Sequence, residues 1–362
     1  MLTKGLYTKP HLEVAILTNS QDFRALEEEW EDLHHNSPLS TPFQSWSWLY
    51  SWWESFEERY ELRLITVRDK DTLVGFIPLM LERRWGFGRL SFIGERDQQD
   101  ILARKGWEDK VSEAGIQALK QMDSWHVKDL KDVSPAAATW GIFQRWNAPR
   151  THSLVDSDYY VFLEVKPWDE LLTSLSRNHR QAVRRTLRRA KEDGVRSELA
   201  GPEEAEQAAS RLIALHRTLR EGRYMTKKRL TSPFESFILA AARRMTNRGL
   251  GGISEFWRDG EVIISSFTLF GDKVTEAYLV GANQEARQRY QWSSLGIWDA
   301  LNMARSRNNA YVCLTQAGEP YGLDPVWWTP ESLEAKPPRR ESTCPRVPGF
   351  VTRRSSRLRL SS

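Results

Sequence analysis

Between Ser176 and Gly194 the chain reads SRNHRQAVRRTLRRAKEDG, with no acidic residue from Arg177 to Lys191. Guanidinium groups at this density can neutralise phosphates, either of a nucleic acid or of a nucleotide-bearing cofactor. On a 3.6-residue period Arg177, Arg180, Arg184, Arg188 and Lys191 make one stripe that reads as solvent-facing. Leu172, Leu175, His179, Val183, Leu187 and Ala190 make a second stripe that reads as core-facing. The plainer alternative is a solvated amphipathic helix stopped by Gly194. Nucleic-acid binding would call for aromatics among the basic residues or a groove-reading module, and the stretch has neither. Other reactive side chains are sparse. Of the two cysteines, Cys313 and Cys344, the first lies in an apolar, strand-like run with no histidine partner indicated, which speaks against thiolate chemistry. Seven histidines without ligand spacing leave no metal site to expect.

The elements that must position such groups belong to a chain of 362 residues, long enough for two domains. Sixteen tryptophans, present in both halves, argue for packed cores. The net charge of +4 is concentrated at the end: Leu333 to Ser362 carries eight Lys and Arg against two Glu, which leaves the preceding residues at −2. This Pro-, Arg- and Ser-rich end reads as a disordered basic tail, capable at most of a weak contact with an anionic surface. Two cysteines rule out a disulfide framework, and no stretch approaches the ~20 apolar residues of a membrane span. The expectation is a soluble cytoplasmic protein.

The first half alternates strand-like and helix-like text: a strand at Leu12 to Thr18, a helix capped by Asp22 and running to Leu33, and an aromatic helix FQSWSWLYSWWESF. Strands ELRLITVRD, TLVGFIPLMLERR and RLSFIGE follow, then a helix near Val111 to Met122 and a strand near Asp158 to Val165. The second half repeats this plan. After the basic helix come helices through Arg211 to Leu219 and Ser236 to Met245, then strands GGISEFWRDG, EVIISSFTLFG and KVTEAYLVG. A helix from Trp292 to about Ser306 and a strand AYVCLTQ complete it. The pattern predicts a mixed α/β chain of two related lobes, residues 1–165 and 166–332, followed by the tail at 333–362.

Five segments, in order, resemble the CelD-like branch of the GNAT acyltransferase superfamily, a branch associated with cellulose or exopolysaccharide biosynthesis. They are TPFQSWSWLYSWWESF, LSRNHRQAVRRTLRRAKEDG, ALHRTLREG, the run from FWRDG to NMARSRN, and VCLTQAGEPYG. The resemblance implies two tandem GNAT-like lobes with antiparallel-rich central sheets flanked by helices, as in FemAB-type transferases. It implies an acyl-CoA-dependent N-acyltransferase, transferring acyl groups other than aminoacyl groups, with acetyl-CoA or another acyl-CoA as donor, no metal, and a small amine acceptor on a sugar, amino acid or cell-envelope precursor. No specific nucleic-acid partner is implied. A FemAB-like aminoacyl transferase and a catalytically decayed scaffold are the alternatives.

In such a lobe a splayed strand pair admits the pantetheine arm and the next helix points its amino terminus at the pyrophosphate. The family loop carries Gln or Arg, two variable residues, Gly, one variable residue, then Gly or Ala; this chain has Arg289, Tyr290, Gln291, Trp292, Ser293 and Ser294. Arg287, Arg289, Ser293 and Ser294 are thereby the implied cofactor-binding residues, with Trp292 standing where glycine would permit close approach. Glu319 and Glu276 are the carboxylate candidates for proton removal and Tyr321 the candidate acid for the departing thiolate. Arg180, Arg184 and His216 are the implied substrate-binding residues. Cys313 and Gly322 stand where the family carries aspartate and lysine.

Overall fold

The structure is a computed structural model that describes residues 12–94, 99–122, 125–133, 137–147, 149–220, 231–314 and 350–361. It divides into two compact units, Met1–Leu154 with Ser356–Ser362, and Val155–Ser355. The division falls earlier than the 165/166 boundary expected from the sequence.

The first unit opens with strand β1 (Leu12–Leu17) and helices α1 (Ser20–Ala25) and α2 (Glu27–His35). The single helix expected here is broken at Leu26, and its cap is Asn19 rather than Asp22: the Asn19 side chain accepts from the Gln21 N–H, so the first turn closes three residues earlier. Helix α3 (Trp46–Phe56) is buried from Trp46 to Trp53. Its rings explain that burial. Trp46 donates Nε1–H to the Phe23 carbonyl at 3.0 Å and, from α2, Trp30 donates to the Gln44 carbonyl at 2.8 Å, so the indole polar ends are satisfied inside the core. At roughly 25 cal/mol per Å2, the 150–250 Å2 that such a ring removes from water stabilises by about 4–6 kcal/mol.

Strands β2 (Glu61–Asp69), β3 (Thr72–Arg84) and β4 (Phe87–Phe92) form an antiparallel meander beside β1, and the short β5 (Leu102–Ala103) also pairs with β3. Helix α4 (Glu108–Gln121) then crosses to β6 (Val127–Val133), which runs parallel to β4 through Arg89↔Val127 and Leu90↔Lys128. Helix α5 (Thr139–Arg145) closes the core around Ile77, Val111, Leu119, Leu130 and Trp146.

The second unit takes in most of strand β7 (Arg150–Glu164), helices α6 (Trp168–Ser174) and α7 (Arg177–Glu192), β8 (Arg196–Leu199), α8 (Ala205–Arg220) and α9 (Ser232–Asn247). Strands β9 (Gly251–Arg258), β10 (Glu261–Phe270) and β11 (Val274–Ala282) follow as an antiparallel meander. Short helix α10 (Gln284–Arg289), helix α11 (Trp292–Ser306) and strand β12 (Tyr311–Cys313) complete the unit, in the sheet order β7-β12-β11-β10-β9-β8. Helix α7 spans the basic stretch and is terminated by Gly194 at φ +69°. Its core contacts come from Val183, Thr186 and Ala190, with His179 and Leu187 half-buried. Arg180, expected in the solvent-facing stripe, is also half-buried and donates Nη2–H to the Leu175 carbonyl at 3.3 Å.

The tail corrects a second expectation. Phe350–Ser361 forms a strand, β13, whose residues Ser356 to Ser361 lie antiparallel to β6 from Val133 to Val127. Composition alone reads this arginine-rich end as disordered, but from Arg357 it alternates basic or polar with leucine, the period of a strand, and β6 offers a row of backbone groups to pair.

Candidate functional site

The site is set by where β11 leaves its neighbours. It runs parallel to β12 through Val274↔Tyr311, Thr275↔Val312 and Glu276↔Cys313, and among the described residues the pairing ends there while β11 continues to Ala282. Against β10 the register shifts between Phe267↔Leu279 and Thr268↔Ala277, so Tyr278 is an extra residue, a β-bulge that bends the strand at the point of departure. Among the described residues, 277–282 therefore have no strand partner on the β12 side.

Backbone alternation says which groups face that side. The Asn283 N–H bonds the Ile263 carbonyl at 3.0 Å, in register with the Ile264↔Ala282 pair that follows. Hydrogen-bonded and non-hydrogen-bonded pairs alternate in an antiparallel ladder, so Gly281 turns its N–H and C=O toward β10 while Val280 and Ala282 turn theirs away from it. The Val280 carbonyl is met there by His216 of α8, whose Nδ1 lies 2.6 Å from the oxygen. A carbonyl only accepts, so Nδ1 carries the hydrogen and, in the neutral ring, Nε2 is the basic nitrogen.

Helix α8 is pressed onto β11 at this point. A Cβ on Gly281 would stand 2.5 Å from the His216 backbone nitrogen and 2.7 Å from the Leu215 Cβ, so only glycine admits the helix. The helix is fixed in rotation by Arg211, whose guanidinium donates twice, at 2.7 Å each, to the buried Glu255 carboxylate of β9. Charge-assisted pairing of this fork geometry holds Arg211 above its ordinary basicity.

Across the sheet, α7 anchors the loop that precedes α11. Arg289 donates to both Asp193 oxygens at 2.6 Å, the Tyr290 hydroxyl donates to Asp193 at 2.6 Å, Arg189 donates to the Arg289 carbonyl at 3.1 Å, and the Gln291 N–H reaches Thr186 Oγ1 at 3.4 Å. The Arg289 and Tyr290 hydrogen bonds hold the Asp193 carboxyl well below the usual carboxylate range. Trp292 packs its ring against the cluster of Ala190, Ile263, Ala286 and Leu295. Helix α11 then begins with Ser293 and Ser294 buried and no acidic residue in its first turn; the Ser294 N–H bonds the Gln291 carbonyl at 2.8 Å, which leaves the N–H groups of Trp292 and Ser293 without a partner within the helix.

The structure therefore separates the residues expected from sequence into two sets. His216 and Glu276 belong to the face covered by α8: Glu276 is opposite Leu269, in the same alternation as Glu255, and is buried. Arg287, Arg289, Ser293, Ser294 and the α7 arginines belong to the other side, where α7 and α11 pack. Arg287 is exposed and makes no ion pair among the described residues, whereas Arg289 is turned onto Asp193. Arg184 is exposed, 3.8 Å from Asp169. Glu319, Tyr321 and Gly322 lie outside the described residues. Sequence reasoning missed the Asp193 latch and the Arg211–Glu255 anchor; the mid-strand glycine of YLVGA was the available sign that another backbone comes close to β11.

Residues 177–322 match the family of acetyltransferase (GNAT) domains. No curated protein matches the chain in sequence. Among solved structures the chain is similar to FemX (11% identity, 95% of this chain and 96% of that chain, TM-score 0.59). It is also similar to a conserved protein of unknown function from Bacteroides thetaiotaomicron (9%, 97% and 100%, 0.57). A third likeness is to the C-terminal domain of a putative lysylphosphatidylglycerol synthetase from Agrobacterium fabrum (9%, 94% and 92%, 0.54). The chain is thus a mixed α/β protein of two units with antiparallel-rich sheets flanked by helices, similar in fold to FemX, and its second unit carries the segment that matches acetyltransferase (GNAT) domains.

Proposed function

We propose that the second lobe transfers an acyl group from an acyl-CoA to an amine, on a sugar, amino acid or cell-envelope precursor such as a polysaccharide building block. The observation that carries this is that the described pairing of β11 with β12 ends at Glu276↔Cys313, and that after β11 and the short α10 comes α11, whose first turn is free of acid. A pantetheine arm fits there because its amides can bond the Val280 N–H and the Ala282 backbone groups, which turn away from β10 and which no described strand takes. Its pyrophosphate is favoured at the α11 amino terminus by aligned N–H groups and the helix dipole, with Arg287 as the nearby exposed cation. In this reading donor and acceptor meet beside residues 277–282 from opposite faces of the sheet.

A second reading, transfer of an aminoacyl group from tRNA, draws on the exposed arginine row of α7, in which Arg177, Arg184, Arg185 and Arg188 face solvent. Thermal denaturation and calorimetric titration with acetyl-CoA, free CoA and aminoacyl-tRNA separate the two. CoA at a hundred times its dissociation constant should add about 2.7 kcal/mol to stability. A shift with tRNA and none with either CoA species would overturn the first reading; donor binding without turnover across an amine panel would support the decayed scaffold.

A further inference from the structure

Two hairpins turn in the same way and differ in what they carry. Between β9 and β10 the ladder closes at Arg258↔Glu261 around Asp259 and Gly260, whose φ values are +50° and +82°. Between β3 and β4 it closes at Arg84↔Phe87 around Trp85 and Gly86, at +50° and +79°. A two-residue loop with both residues left-handed is the hairpin turn that Asp-Gly and Asn-Gly favour, because a short polar side chain tolerates that backbone and a bulky one does not. Trp85 therefore goes against local preference. Its ring is also 93% exposed, Phe87 beyond the turn is 49% exposed, and a Cβ on Gly86 would meet nothing within 4 Å. Neither turn geometry nor core packing accounts for the indole, and a residue that breaks both rules points to a contact outside the fold.

We propose that the Trp85 hairpin is an interfacial anchor that inserts its indole into a phospholipid surface with anionic headgroups. Shape favours this occupant. The tip is convex and two residues wide, whereas a protein partner takes about 20–30 residues a side and a nucleic acid takes a groove with stacking rings in series. Phe87 does not supply a second open platform, since one of its faces is stacked on His126 with ring centroids 4.9 Å apart. An indole suits the headgroup layer, because its body is apolar and its N–H is polar.

Charge points the same way. Residues 83–87, RRWGF, are all exposed and contain no acid. At the base of the hairpin Arg83 pairs with Glu61 and Arg89 with Glu82. Arg84 makes no ion pair among the described residues, and its guanidinium carbon lies 4.8 Å from the Trp85 ring centroid. Cation and ring thus reach a surface together, where a planar guanidinium can fork onto a lipid phosphate. The last strand adds to this side. β13, which carries Arg357 and Arg359, runs toward the tip: Ser361 is in register with Val127 of β6, and Val127 with Arg89 of β4. The basic end of the chain therefore stops level with the base of the hairpin.

Co-sedimentation of the full chain tests this, with vesicles of phosphatidylcholine and phosphatidylglycerol in equal parts and with vesicles of phosphatidylcholine alone. Trp85→Asn removes the ring and suits the turn, so it should unfold at or above the wild-type midpoint while lowering partition onto the mixed vesicles about tenfold or more. Arg84→Gln should lower that partition about fivefold and leave partition onto phosphatidylcholine unchanged. Lipid brominated along its chains should quench the tryptophan emission of wild type more than that of Trp85→Asn. Wild-type partition that Trp85→Asn leaves unchanged, or that is absent with both vesicles, would overturn the anchor. So would a lowered unfolding midpoint in Trp85→Asn, which makes the ring part of the fold. Trp85-dependent retention of poly(U) without vesicle binding would overturn it in favour of a nucleic acid, and Trp85-dependent self-association without vesicle binding in favour of a second copy of this chain. CoA binding enters none of these readouts, so the anchor and the acyl-CoA reading fail separately.

Discussion

The two lobes place the same sequence of elements in the same order, strand, helix, parallel strand, and differ in what they set at the helix entrance. In the first, β4 and β6 run parallel and α4 between them begins Glu108, Asp109 after Trp107. In the second, β11 and β12 run parallel and α11 begins Trp292, Ser293, Ser294 with no acid in its first turn. Two carboxylates at a helix amino terminus already occupy its dipole and repel a phosphate, each at about 1 kcal/mol or more at close range near a protein surface. The interiors differ as well. The first lobe sets Lys128, 1% exposed, between the rings of Trp125 and Trp146, whereas in the second His216 meets the Val280 carbonyl where β11 has no described strand on its β12 side. One order of elements thus carries two different helix entrances, acidic at α4 and free of acid at α11, and the difference lies in a few side chains.

The sharpest way to break the contrast is to push α8 off β11. Gly281→Val pushes a β-branched side chain into the α8 backbone, where even a Cβ meets His216 nitrogen at 2.5 Å. We expect a loss of about 3 kcal/mol in denaturant unfolding together with loss of acetyl-CoA binding. Gly201→Ala, with open space around its Cβ, should stay within about 0.5 kcal/mol.

The first lobe gives the next largest effect, of opposite sign. Burial pushes the Lys128 amine down to about 6, and its Nζ has no hydrogen-bond partner in the described structure. The unfolded chain binds more protons than the folded one between about 6 and the ordinary lysine value, so stability rises with pH across that window and the destabilisation is greatest below it. The tryptophan faces offset part of this by favouring the ammonium. Lys128→Met should stabilise the protein by about 2 kcal/mol near pH 6 and flatten the rise between pH 6 and 10, read as unfolding midpoints at fixed pH steps. An unchanged slope would mean that the amine is charged and satisfied by the rings.

The helix entrances can be exchanged directly. Ser293→Asp gives α11 the acid that α4 carries and should weaken acetyl-CoA binding about tenfold, or 1.4 kcal/mol, in calorimetric titration. The double change Glu108→Gln, Asp109→Asn in α4 should cost less than about 1 kcal/mol of stability and create no CoA binding, because Lys128 and its tryptophans occupy the interior that a pantetheine would need. Equal affinities for wild type and Ser293→Asp would show that phosphate does not sit at α11.

The elements that carry this contrast were legible in the sequence, and the reason is local. The meanders ELRLITVRD to RLSFIGE and GGISEFWRDG to KVTEAYLVG carry dense apolar runs broken by turn residues, and α7 carries a full amphipathic repeat, so each announces itself within a dozen residues. What could not be read depends on residues far apart in the chain. Asp193 meets Arg289, Arg211 meets Glu255, and His216 meets Val280 only once the second lobe has folded. The tail failed for a related reason: Arg353 to Arg359 outweighs its few leucines in composition, and its strand exists because β6 presents a row to pair with.

Arg289 supplies the finest test, because its two readings differ in sign more than in size. As a phosphate ligand it would be weakened by its pair, so Asp193→Asn would release it and tighten acetyl-CoA binding while Arg289→Ala would weaken it. As a latch joining the α7 end to the loop before α11, it acts through Asp193, and both substitutions would loosen the same loop and weaken binding alike. The geometry favours the latch: both guanidinium edges used are on Asp193, Tyr290 bonds the same carboxylate, and Arg189 holds the Arg289 carbonyl. The pair is partly exposed, with the Arg289 side chain 44% accessible, so solvent screens it and the change in Kd should be only about two- to fivefold. Asp193 is held below the usual carboxylate range, so the latch is fully engaged above the unfolded aspartate value and is lost as pH falls through the folded one. At pH 7 a matched weakening in the two variants identifies the latch, and opposite shifts return Arg289 to the phosphate.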